Sequence, residues 1–499
     1  MGIVQRDSFR ITLIAYAGAA IGYLNKIFLF TNFLETEQVG LANLMVTISL
    51  IYAQVAAFGA GHIVIRFFPF FNEPKKQHHG FLFAVLAFSM AGFVLATLLF
   101  LLLQKPFALL YQESSPLLVE YAIYLIPLGL GTMLFHIFEA YLRSLFKNTV
   151  SSVTHELVLR GMVTVVIVLF ALGGISFRHF VMLYVASYCM PAVILIGYAA
   201  FKGYLKIKPV WSPLIKRLGK IMLVYGLFTL FNNLSNFLFT SIDALMVAGM
   251  INLSAAGIYT TMVFVVSVML IPYRSMVKVS APLVADYWKK RAITEIQQLY
   301  RKAAAGNMVV GSIVFLLLWV NLDTLFYLMS PEYEAGRYVF LLLGAGKLFD
   351  MSSGLNAIIL HTSKKYRYGI MFTVMMVLFA IIANYFFIPL WGMEGAAFAS
   401  MLTLILFNTL RILFLKLHFH IQPFVRKQIW VPILLAAIMV LFGMIDPFGI
   451  IFLDVPLRSA IAAVLFLLPV WRLKISEDLN QWAESIAGKY FDFLIKPGR

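Results

Sequence analysis

The chain has a single cysteine, Cys189, so it forms no intramolecular disulfide and holds no cysteine-based zinc. Charge is equally scarce: Asp, Glu, Lys and Arg together make 12% of 499 residues, about half of what a soluble domain carries. Acidic residues are the scarcer sign, 22 against 39 basic ones. Catalytic motifs are missing too. Gly344-Ala345-Gly346-Lys347-Leu348 imitates the end of a phosphate loop but lacks the leading glycine and the hydroxyl residue after the lysine. His155-Glu156 lacks the second histidine of a zinc-protease helix, and His78-His79 and His418/His420 read as solvated pairs without carboxylate partners. Neither an enzyme nor a bound cofactor, nucleotide or metal is expected.

Apolar residues are abundant instead, 62% of the chain with a mean hydropathy of +0.90. A soluble fold of this length could not hide so much apolar surface. A membrane span needs about 20 apolar residues. Runs of that kind cover 9–33, 41–68, 80–103, 116–142, 155–175, 179–201, 219–248, 256–279, 303–328, 336–361, 369–390, 395–418, 429–447 and 451–472. The expected fold is therefore an all-α polytopic membrane protein of about fourteen transmembrane helices. The first run, from Phe9, is long, carries Lys26 and shows no small-residue cleavage site, so it reads as an uncleaved helix. Arg6 breaks the myristoylation pattern.

With an even number of spans and the N-terminus inside, 33 of the 39 Lys and Arg fall on cytoplasmic segments. The exceptions are Lys26, Lys105, Arg178, Arg337, Lys347 and Arg458. This is the positive-inside pattern. It accounts for the net charge of +17 without a nucleic-acid partner and puts both termini in the cytoplasm. The outer loops are short, which leaves no room for an external catalytic domain. Two inner segments, Asp286–Lys302 and Asp478–Ile495, mix apolar and charged residues and are expected as surface-lying amphipathic helices or solvated connectors.

Two halves echo one another. Tyr16-Ala17-Gly18 and Tyr225-Gly226 lie 209 positions apart (16 to 225), and the turn ending at Gly40 matches that ending at Gly257, 217 apart. Leu109-Leu110-Tyr111 likewise matches Leu325-Phe326-Tyr327. Such an offset equals six spans, so the halves share orientation. The expected plan is an N-terminal six-helix lobe (1–201), a basic linker (202–220), a second six-helix lobe (221–420), two further helices (421–472) and a tail (473–499).

An ionisable side chain within a bilayer costs roughly 2.5–3.5 kcal/mol on insertion scales, so it usually faces a cavity or a partner. Lys26, Arg66, Arg274, Lys278 and Lys347 are the candidate cavity cations. Lys26 lies too deep to reach the interface easily. Arg274 and Lys278 can line a cavity or snorkel, and Arg66, near Pro69, reads more readily as interfacial. Lys347 and Asp350, three apart, read first as a neutralising pair. His136 and Glu139 share that spacing, with structural and functional readings both open. His62, Asp243, Asn232, Asn233 and Asn236 complete the cavity or coupling candidates, with Asn25, Gln54 and Asn356 beside them. For the asparagines, polar bonding between helices is the commoner use.

Three stretches carry a family likeness: Thr36-Glu37-Gln38-Val39-Gly40-Leu41-Ala42-Asn43-Leu44, the Gly59-Ala60-Gly61-His62 to Arg66-Phe67-Phe68-Pro69 segment, and Ile388-Pro389-Leu390-Trp391-Gly392-Met393-Glu394-Gly395-Ala396-Ala397. With the fourteen-span plan, the chain resembles the exporter superfamily of multidrug, oligosaccharidyl-lipid and polysaccharide transporters, and most of all its polysaccharide-biosynthesis (O-antigen type) flippases. The resemblance implies a V-shaped pair of lobes around a central cavity. It implies alternating-access transfer of an undecaprenyl-pyrophosphate-linked oligosaccharide, a polysaccharide or lipopolysaccharide precursor, across a bacterial inner membrane. Relatives often line the cavity with basic residues; Lys26 and Arg274 fall where these are expected, and Arg66 is a weaker match. The implied partners are the lipid-linked glycan, the bilayer, and a glycan polymerase or glycosyltransferases. The alternatives are a cation-coupled drug or metabolite antiporter, a glycan polymerase or ligase, and an export-complex scaffold. The lack of an acid within the first two spans favours an anionic substrate.

Overall fold

A computed structural model describes residues 3–207, 209, 212–445, 451–476 and 480–481. Helix is the only regular structure among them. A bilayer offers backbone N–H and C=O groups no water, so each apolar run must pair its own backbone, and the α-helix does that within one segment.

Each expected run lies on a helix or a broken helix. We number them α1 (3–33), α2 (Thr36–Ala57 and Ala60–Phe71), α3 (Phe81–Leu102), α4 (Pro116–Glu120 and Leu125–Ser144), α5 (Asn148–Ala171), α6 (Phe177–Phe201) and α7 (Pro213–Met250). Then come α8 (Leu253–Ser267 and Leu270–Lys290), α9 (Ile293–Val320), α10 (Arg337–Ser352 and Asn356–Thr362), α11 (366–390), α12 (393–419), α13 (Trp430–Gly443) and α14 (Ile451–Arg472). Ten helices among the described residues are long and apolar enough to cross a membrane, eleven with the bent α8 taken as one. That count takes Tyr366–Phe419 as one helix, although Trp391 and Gly392 break it into α11 and α12. The architecture is consistent with fourteen spans.

The breaks have local causes. In α8 the two halves bend by 54° ahead of Pro272, which has no N–H to give the carbonyl of Val268. In α2, Phe58 (φ 46°) and Gly59 (φ 74°) are both left-handed. A Cβ on Gly59 would run into the carbonyl of Gly226 on α7, and one on Gly226 would lie 2.6 Å from the carbonyl of Phe58. The two backbones meet there because neither residue has a side chain.

The chain packs as two units, Met1–Thr261 and Met262–Arg499. In the first, α4 is central and packs on both halves of α2 and on α6. Its core is rich in aromatics: Phe68, Phe71, Phe81 and Tyr141 are fully buried, and the Tyr141 hydroxyl donates to the carbonyl of Tyr204 at 2.7 Å. In the second, α9 is the hub, touching α8, α10, α13 and α14. The Trp319 indole donates to the carbonyl of Met439 on α13 (3.2 Å) and the Asn321 amide to Ser459 on α14 (2.9 Å), which ties the last two helices to the hub.

Two expectations change. Asp286–Lys302 is not one surface helix: α8 runs to Lys290, Arg291 turns left-handed (φ 57°), and α9 starts at Ile293. The charged stretch is the meeting of two helix ends. Nor are His78 and His79 a solvated pair. His78 is buried against Phe68, and His79 lies 2.8 Å from Glu73, which also binds Lys76 at 3.0 Å. Hydrogen bonds from Lys76 and His79 hold the Glu73 carboxyl below its usual range. Most of Asp478–Ile495, the junction between the runs 429–447 and 451–472, and part of the 202–220 linker lie outside the described residues.

Candidate functional site

In α1, residues Leu24–Leu29 form a π-turn, which adds a residue to one turn and shifts the faces that follow. Asn25 and Lys26 sit within it and point to different neighbours. Asn25 is buried, donates to the carbonyl of Arg160 at 3.0 Å, and accepts from Thr164 at 2.8 Å. It bonds α1 to α5. Lys26 gives its ammonium to the side-chain carbonyl of Asn43 on α2 and lies 4.8 Å from the centre of the Phe30 ring. Among the described residues no carboxylate pairs with it. The Asn43 amide donates onward to Thr260 on α8 at 2.9 Å.

This ladder ends at an unusually close crossing of α2 and the first half of α8. A Cβ on Gly40 would strike the carbonyl of Leu253, and one on Gly257 would strike the carbonyl of Thr36. Thr36 and Ser254 hydroxyls meet at 2.5 Å. The pairs 36/253, 40/257 and 43/260 are all 217 apart, so the contact maps onto itself when positions 217 apart are exchanged.

A second polar group lies further along α2. A cavity of about 140 Å³ is lined by Gln54 and His62 from α2 and by His136, Glu139 and Arg143 from α4. Glu139 is forked, with Arg143 at 2.5 Å and His136 at 3.5 Å. An adjoining space of about 420 Å³ shares Gln54 and His62 and adds Asn233, Phe237 and Thr240 of α7. The Asn233 amide nitrogen lies 2.7 Å from Nε2 of His62. Asn232 is exposed, and the side chain of Asn236 lies outside what the structure describes. Asp243 is buried and accepts from the Tyr259 hydroxyl at 3.0 Å. Arg66 is exposed, with its guanidinium 4.3 Å from the centre of the Tyr225 ring.

In the second unit, Arg274 and Lys278 are exposed one turn apart on α8 and make no ion pair or hydrogen bond among the described residues. Lys347 and Asp350 are half-buried on α10. Asp350 accepts from Asn408 at 2.9 Å, and the Asn408 carbonyl accepts from Asn356 at 2.8 Å. Arg411 is buried near Asp350 and Tyr273, with Met376 Sδ at 3.7 Å. An apolar cavity of about 970 Å³ separates α9 and α10 from the start of α13, with Arg426 and Gln428 in its wall.

Some polar groups escaped the sequence reading. Arg143 and Arg411 look like loop charges because they lie near helix ends. Glu156 and Arg160, paired at 2.6 Å on α5, face Gly18 and Gly22 of α1. Their i, i+4 spacing inside an apolar run was the available signal.

A family model described as polysaccharide biosynthesis protein matches residues 4–288. No curated protein matches the chain significantly. Among solved structures, a lipid II flippase MurJ in an inward closed conformation is similar with a TM-score of 0.66 at 12% identity, over 93% of this chain and 98% of that one. An inward-facing multidrug resistance MATE family transporter of the MOP superfamily gives 0.58 at 14%, over 81% and 98%. A MOP superfamily transporter from Pyrococcus furiosus gives 0.52 at 12%, over 84% and 96%. At such identities the likeness is one of fold.

Proposed function

The chain belongs to the polysaccharide biosynthesis protein family, and from that membership we propose that it flips an undecaprenyl-pyrophosphate-linked oligosaccharide across a bacterial inner membrane. The observation that carries the reading is Lys26, a membrane-embedded ammonium held by the Asn43 carbonyl and by no carboxylate among the described residues. A cation left unneutralised in a span is costly, and a pyrophosphate is the kind of ligand that recovers the cost. Arg274 and Lys278, in the second unit, are cations with no ion pair among the described residues. Asn43 keeps the Lys26 amine in place without cancelling its charge. The glycosyltransferases that build the glycan at the inner leaflet are the partners this reading implies, with both termini on their side of the membrane.

The test is a reconstituted flipping assay with a fluorescent polyprenyl-pyrophosphate saccharide. Lys26→Ala and Arg274→Ala should each abolish transfer while the purified proteins stay folded. Normal transfer by both would sink the cationic mechanism. A cation-coupled drug antiporter is the second reading, favoured by Glu139 at a cavity within α4. Export of a cationic dye in the same liposomes, without transfer of the anionic lipid, would put that reading first.

A further inference from the structure

His62 stands where two cavities meet. On one side it shares a wall with His136, Glu139 and Arg143; on the other it touches Asn233 of α7. The first cavity, about 140 Å³, has room for several waters at roughly 30 Å³ each. Its polar groups form a track. Arg143 is next to the last residue of α4, and Glu139 and His136 follow at one-turn intervals, a climb of roughly 10 Å at 1.5 Å per residue. The track continues to His62 on the facing helix, just past the left-handed break at Phe58 and Gly59.

The charges around His62 have partners of their own. Arg143 is neutralised by Glu139 at 2.5 Å, and Arg66, one turn further along α2, stacks on Tyr225. His136 is engaged by Glu139 at 3.5 Å. Among the described residues, the α7 side chains that line the cavities are the uncharged Asn233, Phe237 and Thr240. His62 is also exposed, on the walls of both cavities.

Asn233 makes the protonation state matter to another helix. Its amide nitrogen faces Nε2 of His62 at 2.7 Å. A neutral ring can accept there, but an imidazolium carries N–H on both nitrogens and accepts nothing. When Nε2 takes a proton from a hydronium in the cavity, the new N–H faces the amide N–H2 and the released water stays behind. The amide must then turn its oxygen to the ring or withdraw. Loss of the proton to water reverses the step.

We propose that His62 is the proton-binding group of the transport cycle, loaded through the Glu139–His136 track and read by Asn233 on α7. This rests on the chain being a transporter and adds the ion that drives it.

The full-length protein would be placed in liposomes with the same fluorescent lipid, a pH gradient imposed and the membrane potential clamped. For wild type, a gradient of about one pH unit should change the flipping rate severalfold, up to the tenfold that one coupled proton allows. In His62→Gln the ratio of rates with and without the gradient should fall to one. A wild-type ratio of one, or an unchanged ratio in His62→Gln, overturns the proposal. If wild type flips no lipid, the flippase reading fails. In that case, or if only the variant is inactive, titration by NMR of 13C-histidine-labelled protein in detergent decides the site. A resonance absent from His62→Gln should titrate between about pH 5 and 8, with its midpoint raised by roughly 1–3 units in Asn233→Asp. A resonance that does not titrate, or a midpoint unmoved by Asn233→Asp, overturns it.

Discussion

Asn25 and Lys26 are neighbours with opposite tasks. Asn25 satisfies a carbonyl and a hydroxyl of α5 from a buried position. Its replacement by alanine should lower stability by about 1–3 kcal/mol, the cost of leaving buried polar groups unmet. A fall in the melting temperature of the purified protein in detergent checks this. Lys26→Ala removes one hydrogen bond, to Asn43, together with a charge that is costly to embed, so its melting temperature should fall less than that of Asn25→Ala while transport is lost. The sequence shows both residues as polar intruders in an apolar run. It does not show which faces a neighbour, because the π-turn shifts the register within that very stretch. Asp350 illustrates the same limit. Its spacing to Lys347 is visible in the sequence, whereas the amide that donates to its carboxylate comes from Asn408, 58 positions away.

Helices were readable because the bilayer demands a fixed length of apolar chain, and length is counted directly in sequence. Breaks were harder. The run 41–68 reads as one span, yet Gly59 ends one helix and starts another. A glycine in an apolar run can equally mark close packing, and here it does both. Gly59→Ala would force a Cβ into a left-handed residue, costing roughly 1–2 kcal/mol, and push it against the Gly226 carbonyl. The expected outcome is a larger melting shift than for Gly161→Ala, where a Cβ would meet nothing within 4 Å. The reading of Asp286–Lys302 failed for a related reason. Charges at two adjoining helix ends have the same composition as one amphipathic helix, and only the left-handed Arg291 separates them.

At the scale of the molecule, the run lengths carried most of the architecture. Gly40 and Gly257 were matched by sequence alone, and the structure brings them to a single crossing. What no local pattern revealed is that the track to His62 takes groups from three helices, α2, α4 and α7. Each of those residues has an ordinary structural use by itself. Gly40→Ala and Gly257→Ala should each cost about 1–3 kcal/mol, as overpacking does. The double variant should lose less than the sum, since separation forced by one Cβ makes room for the other. Melting of the two single variants and the double in one detergent settles it; strict additivity would mean that the two collisions are independent.

That crossing also restricts how the chain can vary over time. A contact that is its own image when positions 217 apart are exchanged specifies one shape twice, as a two-fold dimer does with a single gene. Here the two copies are separate stretches of one gene and mutate separately. A change in 36–43 that alters the crossing can be accommodated only by a matching change in 253–260, so across related sequences these two short segments should drift as a pair.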